Sequence, residues 1–162
     1  MVSFTFLDGL PKFGGESSYY VPTVKEKIKQ WSENLSLLQG TERLEYLLDL
    51  AKQSTTMDSA KRIDERLIAG CISQIWVDVM VENDTIKVEY DSDALITKGI
   101  TNVICDCFNN SSVTDCNTII VDDFKLLGIA ELLTAQRQNG LGNLITTILS
   151  RSKQLTNTQN KV

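Results

Sequence analysis

Hydrophobic positions along the chain repeat first with a helical period, then with a period of two, then helically again. Val24, Ile28, Trp31 and Leu35 recur at helical spacing behind Pro22-Thr23, and Thr23 with Glu26 has the form of a capping box. Leu38-Gln39-Gly40 ends this stretch. Thr41 is placed to cap a second helix with Leu44, Leu47, Leu48 and Ala51 on one face, and the pair reads as an αα-hairpin. Gln53 to Asp64 is polar and reads as loop, and the Lys61-Arg62…Arg66 cluster, interleaved with Asp64 and Glu65, reads as a solvated face. From Ile75 the period is two. Ile75, Val77, Val79 and Val81 alternate with Trp76, Asp78 and Met80, and after the turn residues 82–85, Ile86, Val88 and Tyr90 alternate with Lys87 and Glu89. This predicts an antiparallel hairpin, with Trp76 expected in the core. Two strands alone are marginal in water, so the hairpin needs helices against its apolar face.

Asp91-Ser92-Asp93 ends the second strand and offers caps for a third helix, whose stripe is Ile96, Ile100, Val103, Ile104 and Cys107. Residues 109–112 break it, and Ser112 with Asp115 starts a short turn. A short helix over residues 122–127 stops at Gly128, in the position of a C-terminal glycine. After Leu132-Leu133-Thr134, a last helix turns Leu141, Leu144, Ile145, Ile148 and Leu149 inward. The order predicts an α+β fold: a small antiparallel β-sheet packed against α-helices in a two-layer sandwich. The expected organisation is an N-terminal arm over 1–21, a single domain over 22–153, and a polar, flexible tail over 154–162. In the arm, Phe4, Phe6, Leu7, Leu10 and Phe13 stand among Gly9, Pro11, Gly14 and Gly15.

Composition narrows the function classes. The 162 residues with 42% apolar content suit one ordinary core. A net charge of −5 argues against binding nucleic acid, because neutralising phosphates needs a basic surface. No apolar run approaches the roughly 18 residues of a membrane span. The first residues lack the form of a secretory signal, so a cytosolic or similarly reducing compartment is the expectation. Four cysteines are too few for a disulfide scaffold in a chain of this length. The chain contains no histidine. That removes Cys-His and Ser-His-Asp catalysis and every zinc site that needs an imidazole.

The candidate chemistry lies in Leu67-Ile68-Ala69-Gly70-Cys71-Ile72-Ser73-Gln74-Ile75-Trp76. Glycine permits backbone geometry that crowds other residues, so Gly70 can hold Cys71 on a tight turn at the mouth of a strand. From the residues alone, Cys71 reads equally well as a reactive thiol or as a structural cysteine buried beneath the hairpin. Cys105 and Cys107, two apart on a helix, point to nearly opposite sides and cannot share an ion. With Cys116 they read as packing residues rather than metal ligands.

Three blocks carry a resemblance. Gly70-Cys71-x-Ser73-x-x-Trp76, Asp91-Ser92-Asp93-Ala94-x-Ile96-x-x-Gly99 and Leu133-Thr134-x-x-Arg137-x-Asn139-Gly140-Leu141 are similar, in this order, to the SufE/CsdE family, sulfur-acceptor proteins of iron–sulfur cluster assembly. The resemblance runs from about Thr41 to Leu149. It implies a SufE/IscU-like sandwich and a carrier that stimulates a cysteine desulfurase, not an enzyme that turns over alone. Cys71 would take sulfur as a persulfide from a partner of the SufS/CsdA type and deliver it to a sulfur-accepting scaffold complex. Pyridoxal phosphate belongs to that partner, and no cofactor or metal is expected on this chain. The family's cysteine sits on a loop tip that packs into an apolar cavity and swings out when the desulfurase docks. By the same resemblance Gly70 is the hinge and Ser73 hydrogen-bonds the cysteine loop. Arg137 holds the late loop or contacts the partner, and Asp93 caps the third helix. Ala135 and Gln136 stand where the family often has a proline and a serine or threonine. The implied compartment is a bacterial cytoplasm or an organelle stroma, and a homodimer is left open. Two other readings stay open at this point: an iron–sulfur cluster scaffold, and a binding module that meets a desulfurase without carrying sulfur.

Overall fold

The computed structural model describes residues 20–159. Its elements are α1 (Val24–Ser36), α2 (Glu42–Gln53), β1 (Ile75–Glu82), β2 (Thr85–Ser92), α3 (Leu95–Phe108), the short α4 (Val113–Cys116) and α5 (Ala135–Gln159), with 3-10 turns at Ser59–Lys61, Asp64–Arg66, Val121–Leu127 and Ala130–Leu132. The architecture is the expected α+β one, a two-stranded antiparallel sheet with helices layered on it. The predicted N-terminal arm, apart from Tyr20 and Val21, lies outside the described residues.

The hairpin follows its pattern. Val77 faces Tyr90, Val79 faces Val88 and Val81 faces Ile86, so one apolar face forms. Asn83 and Asp84 both take positive φ, 52° and 59°, as a two-residue turn matched to the strand twist requires. The sheet's edges are occupied. The Ile68 N–H donates to the Ile75 carbonyl at 2.8 Å, and the Arg151 guanidinium donates to the Val77 carbonyl further along β1. On β2, the Ile86 N–H donates to the Ser111 carbonyl, and the Asn109 side-chain amide bonds both the N–H and the carbonyl of Val88. Two strands therefore suffice, because neither edge is left as a bare row of peptide groups.

The inner face meets α3 and α5, and α1 and α2 pack around α3. Val24, Ile28, Trp31, Leu47, Val77, Ile86, Val103, Ile104, Phe108, Leu144 and Ile148 form a continuous core. Gly99 fixes the α2–α3 crossing: a Cβ there would lie 2.0 Å from the Leu47 carbonyl oxygen, so only a glycine lets the two backbones meet. Asp91 is buried and accepts from the Met57 N–H at 3.1 Å while pairing with the buried Lys98 ammonium at 3.2 Å. That pair ties the loop after α2 to the end of β2 and the start of α3.

Several local expectations are corrected. Thr41 makes no side-chain cap. Instead the Glu42 carboxylate reaches back to the Gln39 N–H, because Thr41 is already helical in φ and ψ. The segment after Gln53 is not an open loop. Its two 3-10 turns lie over the outer face of the hairpin, where Arg62 sits over the Trp76 ring, Arg66 pairs with Asp78 at 3.4 Å and Lys61 pairs with Glu89 at 2.8 Å. Trp76 is accordingly half-buried under a guanidinium rather than in the core, since strand alternation puts it opposite Val77. The last helix runs on to Gln159, with Leu155 against the core, so the helix extends past residue 153 through residues 154–159. Residues 160–162 lie outside the described residues.

Replacing Gly99 by alanine should lower stability by about 3 kcal/mol, the upper part of the range for overpacking against backbone. A urea midpoint equal to that of the unmodified protein would show that the α2–α3 contact is not close.

Candidate functional site

The segment that carries Cys71 is a second, tighter hairpin appended to the first. Leu67 forms an antiparallel bridge to Trp76, and the Ile68–Ile75 hydrogen bond closes the intervening residues 69–74 into a loop. After the cysteine the loop is held firmly. The Gln74 N–H donates to Asp93 Oδ1 at 3.0 Å, the Ser92 hydroxyl donates to the Gln74 carbonyl at 2.7 Å, and the Asp93 N–H donates to the same carbonyl at 3.2 Å. Before the cysteine, the Asn143 side-chain amide on α5 donates to the Ala69 carbonyl at 3.0 Å. Gly70 has φ +76°, a left-handed conformation that turns the chain so that Cys71 faces the helix.

Cys71 lies over an apolar cavity between the loop, α3 and α5. Its walls are Ile75, Ile100, Leu133, Leu141 and Leu144, with Ser73, Thr97, Thr101 and Arg137 as the polar positions. The cavity leaves about 30 Å³ of free space, more than the roughly 10–15 Å³ that one water-sized group needs. The thiol donates a weak hydrogen bond to the Gly140 carbonyl at 3.6 Å. A Cβ on Gly140 would come within 3.1 Å of Sγ, so any side chain there would crowd the sulfur by a few tenths of an ångström. Burial against apolar walls pushes the Cys71 thiol above its ordinary pKa, because a thiolate there would lose its hydration.

The residues singled out in the sequence converge only in part. Gly70, Cys71, Ser73 and Arg137 all border the cavity or its loop. Ser73 accepts a hydrogen bond from the Thr97 hydroxyl at 3.3 Å, which ties the loop to the first turns of α3 rather than to the cysteine itself. Asp93 does not cap α3: Ala94 holds the N-cap position with no side-chain bond, and the Asp93 carboxylate is turned to the Gln74 N–H. Arg137 is exposed at the cavity rim, in the first turn of α5 and three residues before Gly140. It forms no ion pair among the described residues. The turn into α5 keeps its shape without a proline, because the Gln138 amide bonds the Ala130 and Leu133 carbonyls at 2.8 and 3.1 Å. Sequence reasoning missed Thr97, Gln138 and Asn143. The helical spacing of Asn143 from Gly140 was the sole signal for it.

Cys105, Cys107 and Cys116 are fully buried among core side chains. Burial raises the pKa of all three thiols, that of Cys116 to about 12. Among the described residues, no three His, Cys, Asp or Glu side chains are placed to hold a metal ion. No helix among them is long and apolar enough to cross a membrane.

Fold and site thus define a small α+β domain with one half-buried thiol seated over an apolar cavity. A family model described as "SufE: Fe-S metabolism associated domain" matches residues 29–152, and the chain belongs to the SufE family, whose setting is iron–sulfur metabolism. SufE-like protein 1, chloroplastic/mitochondrial, of Arabidopsis thaliana is 27% identical over 83% of this chain, a stretch that spans 36% of the plant protein. An uncharacterized SufE-like protein of Rhizobium meliloti is 29% identical over 69% of this chain and 84% of its own length. The solution structure of a hypothetical protein from Thermus thermophilus shares the fold, with a TM-score of 0.69 at 16% identity over 81% of this chain and 96% of that one.

In the folded protein, a small alkylating reagent should modify Cys71 and leave Cys105, Cys107 and Cys116 intact. The pH midpoint of the Cys71 reaction should lie above that of the same peptide in denaturant, since burial favours the neutral thiol and more alkaline solution is then needed to form the nucleophile. A midpoint at or below the denatured value would mean that the cavity does not shelter the sulfur.

Proposed function

We propose that this protein is a sulfur acceptor and carrier. It takes persulfide sulfur on Cys71 from a pyridoxal-phosphate cysteine desulfurase, stimulates that enzyme, and delivers the sulfur for iron–sulfur cluster assembly. The observation that carries this reading is the seat of Cys71: an apolar cavity with spare volume beside Sγ and a glycine where any other residue would press on the sulfur.

The transfer balances without an oxidant. The Cys71 thiolate attacks the outer sulfur of the donor's persulfide, the donor's S–S bond breaks, and the donor thiolate leaves and takes up the proton that Cys71 gave to solvent. The product is Cys71–S–SH. No dedicated base is required, which suits a chain without histidine. In its seat Cys71 is held as the neutral thiol and is a poor nucleophile. Attack therefore belongs to a tip turned outward, and the cavity to storage. Once loaded, the outer sulfur extends Sγ by one atom, for which the cavity has room, and the apolar walls limit its contact with water and reductants. Arg137 at the rim supplies a positive charge beside the path that the sulfur takes. The three remaining cysteines, buried and high in pKa, support a carrier over a three-cysteine cluster scaffold.

The decisive experiment mixes the protein with a cysteine desulfurase and L-cysteine and maps adducts by mass spectrometry. A mass increase of about 32 Da should appear on the Cys71 peptide. No adduct there, or one equally abundant on Cys105, sinks the assignment. Cys71→Ser should also abolish desulfurase stimulation, whereas a pure binding module would keep it. Gly140→Ala, which crowds Sγ, should shorten the lifetime of the loaded persulfide in mild reductant several-fold, and an unchanged lifetime would mean that the outer sulfur is sheltered elsewhere.

A further inference from the structure

The loop around Cys71 is fastened unevenly. On its C-terminal side, Gln74 is tied by three hydrogen bonds to Ser92 and Asp93, all at the end of β2. On its N-terminal side, beyond the Ile68–Ile75 bond, the backbone is held to α5 by the bond from Asn143 Nδ2 to the Ala69 carbonyl, which the Cys71 thiol supplements with its weak bond to the Gly140 carbonyl. Asn143 reaches that carbonyl by crossing directly over Gly70, where its Nδ2 lies 2.6 Å from the place a Cβ would occupy. Gly140 and Asn143 stand three apart on α5 and share the face that meets the loop, so one seats the sulfur and the other grips the backbone ahead of it. Asn143 itself is exposed and contributes nothing to the core.

We propose that Asn143 is a positioning residue that latches the Cys71 tip closed, its side-chain amide on the Ala69 carbonyl setting how often residues 70–73 leave the cavity. Gly70 serves the latch twice: its left-handed backbone turns the tip inward, and its missing side chain lets the amide reach across. Breaking this one exposed hydrogen bond leaves residues 70–73 held by the weak thiol bond to the Gly140 carbonyl and the long Thr97–Ser73 bond, with the Gln74 clamp intact as the fixed end of the swing. The tip then opens more often, and the thiol meets solvent in proportion. The inference rests on Cys71 being the reacting thiol of the proposed carrier, but its test needs no desulfurase, so failure of Cys71 to accept sulfur would leave the latch measurable.

The test measures the rate at which iodoacetamide modifies each cysteine peptide in the folded protein and in the variants Asn143→Ala and Asn143→Asp. Loss of one net hydrogen bond predicts about a five-fold faster reaction at Cys71 in both variants. Aspartate keeps the shape of asparagine but presents only acceptors to a carbonyl, so it separates the hydrogen bond from side-chain volume. Cys105, Cys107 and Cys116 should stay as unreactive as in the unmodified protein. An unchanged Cys71 rate in both variants would overturn the proposal. So would a rise shared by the buried cysteines, which would report general loosening, and so would acceleration by alanine without acceleration by aspartate, which would assign the effect to volume.

Discussion

The closeness of helix α5 to the Gly70–Cys71 backbone is the constraint that shapes the whole site. At Gly140 the helix touches the sulfur, and one turn later Asn143 crosses the glycine before it. A side chain at Gly140 would press on the sulfur, and one at Gly70 would displace the Asn143 amide from its path. The same device operates deeper in the protein, where Gly99 lets α2 meet α3 on backbone atoms and so sets where α3 presents Thr97, Ile100 and Thr101 to the cavity. The seat for the thiol is thus defined by two helices: α3, brought to its station by the lack of a Cβ at Gly99, and α5, which passes the sulfur closely at Gly140.

What that seat does to the thiol is a matter of solvation. A neutral thiol fits apolar walls well and a thiolate does not, so the seated position disfavours the nucleophilic form that the proposed sulfur transfer would need. Protection and reactivity cannot coexist in one conformation. The loop is fastened unevenly, with a clamp at Gln74 that involves backbone on both sides and a lighter one at Ala69 made by a single exposed amide, and in the proposed carrier this would let the tip move between the two demands. The acidic side chains of Asp91 and Asp93 act in support, the first by anchoring β2 to α3 through Lys98 and the second by fixing the loop's downstream end.

The hairpin beneath the loop shows how little sheet such a device needs. Its edges are satisfied by Arg151 from α5, by Asn109 after α3 and by the segment leading to Cys71. The outer face is covered by Arg62 and Arg66, whose stems and charges sit on Trp76 and Asp78. The cationic cluster that reads in the sequence as a solvated face is solvated on one side and on the other also covers an aromatic ring and a carboxylate.

The elements and their order are legible from local pattern. Alternation from Ile75 to Tyr90, the Asn83-Asp84 turn, the stripe on α3 and the glycine after Leu127 are local signals with local causes, and they need no partner to be read. The motif around Gly70-Cys71 also singled out the one thiol of the four that is not fully buried, because it stood outside every apolar stripe. The remaining features waited on the fold. Whether Trp76 is buried, where the Asp93 carboxylate turns, and that α5 lays Gly140 and Asn143 against a loop some seventy residues earlier all depend on contacts between distant segments. Such contacts leave no periodicity in the chain, and a hydrogen bond between an asparagine and a remote carbonyl is invisible until the fold brings them to 3.0 Å.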